Sequence, residues 1–229
     1  MQAIILAAGE GTRLRPLTYE TPKPLLKVAG KPILQYNLEN LEGLVDEAIL
    51  VIGYKGDQIK DYFGNQFQSL RIRYVLQKEQ LGTANAVAQV EPLVTGRFLV
   101  LMGDNIYHHD DIQQCLHYKL AALAMEVDDP SKYGVFIVED HLIRDVIEKP
   151  KTPVSRLANT GLYVITDEIF ADIKRLKKTQ RAEYEFTDAL RALSKRRAIH
   201  CVLVSHMWIP IGYKEDLELA NRLLSARAD

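Results

Sequence analysis

The chain opens on an apolar run, Gln2–Ala7, ended by Gly9 and Gly11, which is the pattern of a buried strand feeding a tight loop. From Pro32 the period changes. Leu34, Leu38, Leu41 and Val45 recur at helical spacing behind a proline suited to a first turn, and this predicts an amphipathic helix. Ala48–Ile52 reads as a second buried strand stopped by Gly53, Gln58–Phe63 as a short helix, and Arg71–Leu76 as a third strand. Leu81–Val90 is alanine-rich and helical ahead of Pro92, and Arg97–Met102 is another apolar strand, ending at Gly103-Asp104.

Strand and helix thus alternate, which predicts an α/β fold whose parallel strands are buried on both faces by crossover helices. Ligands are then expected at the C-terminal strand ends. After Asp104 the regularity weakens. A helix near Asp111–Leu120 precedes three strand-like runs, Ala122–Val127, Val135–Val138 and Leu142–Ile147, read as antiparallel additions. Thr160–Ile165 is a further strand, followed by helices near Asp167–Lys177 and Thr187–Lys195, a strand Ile199–Val204, and a last helix from about Glu215 that carries Leu217, Ala220 and Leu224. No internal repeat, low-complexity tract or Ser/Gly-rich linker divides the 229 residues, so a single continuous domain is expected.

Composition narrows the class. With 47% hydrophobic and 26% charged residues, the chain is neither disordered nor collagen-like. No run of eighteen apolar residues occurs, and Ala3–Ala8 is too short for a signal core and lacks a basic segment before it, so neither secretion nor membrane spanning is expected. The 29 basic and 30 acidic residues leave a formal charge of −1, so no global field draws nucleic acid or an anionic membrane. Cys115 and Cys201 cannot form a disulfide framework and suit a reducing cytoplasm. Cys115 and His117 are too few for a zinc site. His108-His109-Asp110-Asp111 resembles a metal cluster in composition, but Asp110 reads as a helix N-cap and the histidines as exposed loop residues.

Chemistry concentrates in the first loop. Gly9-Glu10-Gly11-Thr12-Arg13-Leu14 begins like a dinucleotide fingerprint, yet Leu14 stands at the third glycine position and strand two ends without the expected acid. No phosphate-loop motif of the G-x-x-x-x-G-K-[ST] type occurs. What remains is a glycine turn with exposed amides followed by Arg13, Arg15, Lys23, Lys27 and Lys31, stiffened by Pro16, Pro22, Pro24 and Pro32. Rigid cations around an anion-binding turn predict a triphosphate site. Asp104, at the end of its strand, is placed to hold magnesium against those phosphates, and the pair points to metal-assisted phosphoryl or nucleotidyl transfer.

Together these segments resemble the sugar-1-phosphate nucleotidyltransferases over essentially the whole chain. LAAGEGTRLRPLT at 6–18 and TPKPLLKVAGKPIL at 21–34 look like the family signature, and LGTANAV, GDN, EKP, NTGLYV and EYEFTDAL follow in the family's order. The resemblance implies a Rossmann-like fold with a mixed, mostly parallel sheet flanked by helices. It implies Leu6, Ala8, Gly9, Gly11, Thr12, Arg13, Gln77, Gly82 and Thr83 around the nucleotide, with Gln77 and Gly82 facing the base. Gly134, Glu148, Lys149, Asn159 and Thr160 would hold the sugar phosphate. Arg13, Lys23, Asp104 and Lys149 would be catalytic, with Asp104 the Mg²⁺ ligand.

The implied partners are a nucleoside triphosphate, with UTP or dTTP favoured, and a sugar 1-phosphate. The Gln77 amide can pair with either a donor or an acceptor, so cytidylyl and guanylyl transfer to another phosphorylated acceptor stay open. So does a non-catalytic sugar-nucleotide-binding role, because the family's W-x-D-x-G reads Trp208-Ile209-Pro210-Ile211-Gly212 here, and proline offers no side-chain ligand. Relatives often form homo-oligomers, but nothing in this sequence sets a subunit count. The left-handed β-helix domain that some relatives append is not expected within 1–229.

Overall fold

The computed structural model describes residues 1–179 and 182–226. In the first half, β1 (Gln2–Ala7) leads through a long loop to the hairpin β2 (Lys27–Val28) and β3 (Lys31–Pro32). Then come α1 (Ile33–Leu41), β4 (Glu47–Ile52), α2 (Gly56–Phe63), β5 (Gln66–Phe67), β6 (Leu70–Leu76), α3 (Thr83–Ala88) and β7 (Arg97–Met102). The second half holds β8 (Asn105–Tyr107), α4 (His109–Leu116), β9 (Ala121–Glu126), β10 (Gly134–Glu139), β11 (Leu142–Glu148) and β12 (Leu157–Thr166). It ends with α5 (Ile169–Ile173), α6 (Phe186–Ser194), β13 (His200–Leu203), β14 (Trp208–Pro210) and α7 (Lys214–Ser225).

Among the described residues, ten strands make one sheet in the order β10-β11-β13-β9-β12-β7-β1-β4-β6-β5. The strands β7, β1, β4 and β6 are mutually parallel, and β12 reverses direction against both β7 and β9. The alternation of side chains across each strand explains the two covered faces. Ile4, Ile49, Val51, Phe98 and Val100 pack against α3, α5 and α6, whereas Ala3, Ile5, Leu50, Ile52, Leu99 and Leu101 pack against α1, α2 and α4.

Register positions the functional edge. Ala7 pairs with Ile52, Ile52 with Leu76, and Leu6 with Met102, so the parallel strands end level. The loops leaving β1, β6 and β7 therefore meet. Across the reversal, β12 bulges against β9 between Asn159 and Tyr163, and Gly161 takes φ +83 in that bulge; a Cβ there would sit 2.4 Å from Met102 Cγ. Beside the sheet, β8 and β14 form a two-stranded ribbon with Asn105 opposite Pro210 and Tyr107 opposite Trp208.

Several helix bounds differ from the periodic reading. The first helix stops at Leu41, and Val45 is buried in the turn beyond it. Gly82 at φ +100 cannot be helical, so α3 starts at Thr83 rather than Leu81. Asp110 is not the N-cap of α4: His108 is, its ring accepting the Asp110 amide at 3.3 Å, and the helix ends at Leu116 instead of Leu120. The fifth helix is confined to Ile169–Ile173.

One ion-pair contact between α6 and β11 makes a stability prediction. Arg191 donates to both Asp145 oxygens at 2.7 and 3.2 Å, and Lys195 lies 3.6 Å away. Burial alone would raise the Asp145 pKa, but the Arg191 bond, the Val146 amide and the Lys195 charge hold it below the ordinary carboxylate value. A lowered folded pKa supplies stability above the unfolded value that is lost as pH falls through the folded one. Asp145→Asn should therefore cost about 1 kcal/mol in urea unfolding at pH 7, discounted for the partly exposed arginine. The deficit should close as the pH is taken below 3.8. A deficit independent of pH would refute the assignment.

Candidate active site

The loop after β1 folds into three short 3₁₀ turns, Thr12–Leu14, Leu17–Tyr19 and Lys23–Leu25. Gly11 makes this possible. It sits at φ +63, where an added Cβ would lie 3.0 Å from Thr18 Cγ2 and 3.1 Å from Lys23 Cβ, and Thr18 Oγ1 donates to its carbonyl at 2.9 Å. The turn thereby closes over Lys23, which Pro22 and Pro24 flank and which is only 6% exposed. Its ammonium donates to Asp104 Oδ2 at 2.7 Å.

The five-cation cluster read from the sequence does not assemble. Arg15 pairs with Glu10 at 3.0 Å, and Lys31 with Glu39 at 2.8 Å while lying over the Tyr36 ring. Lys27 is exposed on β2. The reason is that the β2–β3 hairpin turns away toward α7, where Asn221 accepts the Ala29 amide at 2.7 Å. Only Arg13 and Lys23 of the five line the cavities at the strand ends.

Two cavities adjoin at the strand ends. The first, about 420 Å³, is lined by all nine residues expected around the nucleotide: Leu6, Ala8, Gly9, Gly11, Thr12, Arg13, Gln77, Gly82 and Thr83. The second, about 460 Å³, is lined by all five expected around the sugar: Gly134, Glu148, Lys149, Asn159 and Thr160. Arg13, Thr83, Met102, Asp104 and Glu185 belong to both, so the wall between them carries one guanidinium and the carboxylates of Asp104 and Glu185.

In the first cavity Gln77 is buried, and its amide nitrogen donates to Gly82 O at 3.2 Å and Asn85 Oδ1 at 2.9 Å. A flip would oppose Oε1 to the Gly82 carbonyl, so the fixed orientation leaves Oε1 as the acceptor. The open choice at this amide is thus closed by its neighbours. Gly82 itself approaches the backbone of residue 184: a Cβ would lie 2.6 Å from Tyr184 O. Hydrogen bonds from Tyr184 N to Leu81 O at 2.7 Å and from Ala84 N to Tyr184 O at 2.9 Å zip the two segments together. Glu183 and Glu185 enter the wall this way. The E-Y-E-F-T-D-A-L run was visible in the sequence, but nothing local ties it to residues a hundred positions earlier.

In the second cavity Gly134 faces Glu148 across β10 and β11, and a Cβ on it would meet Glu148 Oε2 at 2.8 Å. Lys149 adopts a left-handed φ of +44, with its amide held by Tyr133 O at 3.1 Å and its ammonium 4.0 Å from Glu148 Oε1. Asn159 and Thr160 spend their side chains on the bulge. Asn159 donates to Tyr163 Oη at 2.7 Å and accepts the Gly161 amide at 3.0 Å, while the buried Thr160 hydroxyl donates to Leu123 O at 2.8 Å. Both line the cavity from these positions.

Tyr133, Trp208, Tyr213 and Asp216 line the second cavity without having been expected from the sequence. Tyr133 and Trp208 meet edge to face at 5.3 Å. Arg13 lies 4.9 Å over the Tyr213 ring, and its hydrogen bond lowers the Tyr213 pKa from the ordinary phenol value. Pro210 lies beside Asp104: it pairs with Asn105 in the ribbon, and the next amide, Ile211 N, donates to Asp104 O at 3.0 Å. No carboxylate stands at that position.

The level strand ends, the glycine turn and the paired cavities form one continuous site with a shared wall. The chain belongs to the nucleotidyl transferase family, whose sequence profile matches residues 2–227. It is 40% identical over 225 residues to the bifunctional protein GlmU of Methanocaldococcus jannaschii, covering 98% of this chain and 54% of that protein. It is 37% identical over 234 residues to the UTP–glucose-1-phosphate uridylyltransferase AglF of Haloferax volcanii, covering 98% of this chain and 96% of that one. A UDP-glucose pyrophosphorylase solved with UDP-glucose superimposes with a TM-score of 0.89 at 27% identity, over 99% of this chain and 98% of its own. The chain spans about half the length of the GlmU relatives it matches. No helix among the described residues is long and apolar enough to cross a membrane.

The Gly82 contact is testable without any ligand. Gly82→Ala places a methyl against backbone at a φ that L residues rarely adopt, and it should destabilise the fold by about 1–3 kcal/mol. Thermal denaturation beside wild type measures this. An unchanged melting temperature would mean that the 81–84 and 183–186 segments are not locked together.

Proposed function

We propose that this chain transfers a nucleoside monophosphate from UTP or dTTP to a sugar 1-phosphate, giving a nucleoside diphosphate sugar and pyrophosphate. The observation that carries the reading is the shared wall. The nucleotide cavity and the sugar cavity meet at Arg13 and Asp104, with Lys23 held against Asp104 at 2.7 Å. A sugar-phosphate oxygen attacking the α-phosphorus in line needs positioning and charge neutralisation, not a side-chain nucleophile. Arg13 and Lys23 neutralise the triphosphate side, and Lys149 the incoming phosphate. Fixed backbone and proline geometry hold two of these cations, so little reorganisation accompanies the reaction.

Among the pyrimidines, Gln77 bears on base choice. Its free acceptor suits the N3–H donor of uracil or thymine, whereas cytosine presents an acceptor at N3. The two free thiols suit a reducing compartment; burial pushes the Cys201 thiol up to about 11 and that of Cys115 higher still.

The family generally uses a divalent metal. Mg²⁺ takes hard oxygen ligands and is held by one or two carboxylates plus phosphates and water. Asp104 fits that set: its side chain is 42% exposed and borders both cavities, with Oδ1 accepting the Asn105 amide at 3.2 Å. When bound, the ion would supply further neutralisation of the phosphate oxygens. Pro210 offers no carboxylate at its position, so Asp104 would hold the ion with phosphate oxygens and water.

A panel of triphosphates against sugar phosphates, scored by pyrophosphate release, tests the reading. UTP or dTTP should be turned over, with CTP roughly 10²-fold or more worse in kcat/KM. Arg13→Ala and Lys149→Ala should each lower kcat by about 10²–10³. Equal use of CTP would remove the base assignment, and wild-type rates in both variants would remove the transfer mechanism.

Pro210→Asp restores the missing ligand. It should lower the Mg²⁺ concentration needed for half-maximal rate. An unchanged requirement would show that a second carboxylate is not what limits metal binding.

A further inference from the structure

The run His108-His109-Asp110-Asp111 separates into different jobs once folded. His109 Nδ1 lies 3.1 Å from Asn40 O and ties α4 to α1. Asp111 is completely buried and accepts the amides of Ser205, His206 and Met207 at 2.9, 3.2 and 3.0 Å. That clamp delivers His206 to the outer side of the first turn of α4, where His108 and Asp110 are left half-exposed.

There His206 Nε2 lies 3.4 Å from Asp110 Oδ2, and His108 Nδ1 lies 3.8 Å from the same oxygen. One ligand atom from each of the three falls within 4.8 Å of the others. His206 Nδ1 faces Asp111 Oδ1 at 3.3 Å, the carboxylate–imidazole arrangement that fixes a ring and presents its other nitrogen.

We propose that His108, Asp110 and His206 bind a divalent transition ion of the zinc class, with a fourth position open to water. Two imidazoles and one carboxylate match zinc, whereas magnesium prefers oxygen ligands alone. Bond lengths near 2.0–2.1 Å put tetrahedral ligands about 3.3 Å apart, so the three must draw in by roughly 1 Å. The two rings, now stacked at 4.5 Å and 6°, must also splay, because each nitrogen lone pair lies in its ring plane. His108 gives up only its 3.3 Å contact with the Asp110 amide. Rotation of half-exposed side chains covers these movements, and the backbone clamp at Asp111 stays intact.

The site is distinct from the cavity wall. His108 follows β8 and His206 precedes β14, so it closes the far end of the ribbon whose near end lies beside Asp104. His108 lies four positions after Asp104, about 13 Å of extended chain. An ion there would staple α4 to the 205–207 turn.

The test uses the intact protein without nucleotide or magnesium, titrated with Co²⁺ and then with Zn²⁺. One equivalent of Co²⁺ should give visible absorption that Zn²⁺ displaces, and it should quench Trp208, the only tryptophan in the sequence. The band should disappear in His206→Gln and in His108→Gln and persist in Asp104→Asn. Zn²⁺ at about a hundred times its Kd should raise the melting temperature by roughly 5–10 °C in wild type and not in His206→Gln. Should a histidine variant fail to fold by circular dichroism, Asp110→Asn replaces it and should weaken Co²⁺ at least tenfold. Absence of the band overturns the proposal, as does its survival in the histidine variants or its loss in Asp104→Asn, which would place the ion at the cavity wall.

Discussion

The contact between Lys23 and Asp104 organises the rest of the site. It joins the loop after β1 to the end of β7, and neither partner is placed by its own neighbours alone. Lys23 is buried because Gly11 adopts a left-handed turn over it and two prolines fix its flanks. Asp104 is anchored from behind, its carbonyl accepting the Ile211 amide and its side chain the Asn105 amide. Removing the carboxylate would leave the Lys23 ammonium without this partner, a loss of about 1–2 kcal/mol for a pair whose acid is 42% exposed. The pair is therefore both a tie in the fold and the charge centre of the cavity wall.

That wall exists because of sheet topology. Parallel strands β1, β4, β6 and β7 end level and supply one cavity from their following loops. The reversal at β12 supplies the other. Gly161 allows the bulge that brings β12 against Met102, a residue common to both cavities. The mixed topology thus sets the two cavities on one boundary.

Much of this was legible in the chain. The buried strands showed as apolar runs because both their faces are covered, and the motif resemblance placed fourteen residues that the structure gathers into two cavities. What escaped depends on distant contacts. Lys27 and Lys31 belong by spacing to a cationic cluster, but a hairpin packed on α7 carries them away. Asp110 looked like a cap because Asp often caps; His108 takes that place because the strand β8 runs directly into the helix. Tyr213 gave no local signal, and Trp208 none beyond opening the run that ends at Gly212, since their roles arise only when the C-terminal segment returns to the loop after β1. The orientation of the Gln77 amide was likewise unreadable until Gly82 and Asn85 were seen beside it.

Pro210 changes the charge balance as well as the ligand count. A second carboxylate beside Asp104 would leave two acids facing Lys23 and Arg13; with proline there, the wall carries one negative charge fewer. In a half-buried site one unit of charge a few ångströms from a triphosphate is worth on the order of a few kcal/mol. The substitution therefore favours the polyanion directly through Arg13 and Lys23 while weakening the grip on a cation. On the proposed reading, triphosphate affinity leans on protein cations more than on the metal, and the metal's part narrows to the reacting phosphates. The left-handed turn at Gly11 and the prolines around Lys23 then carry a larger share of substrate binding than they would beside a two-carboxylate centre.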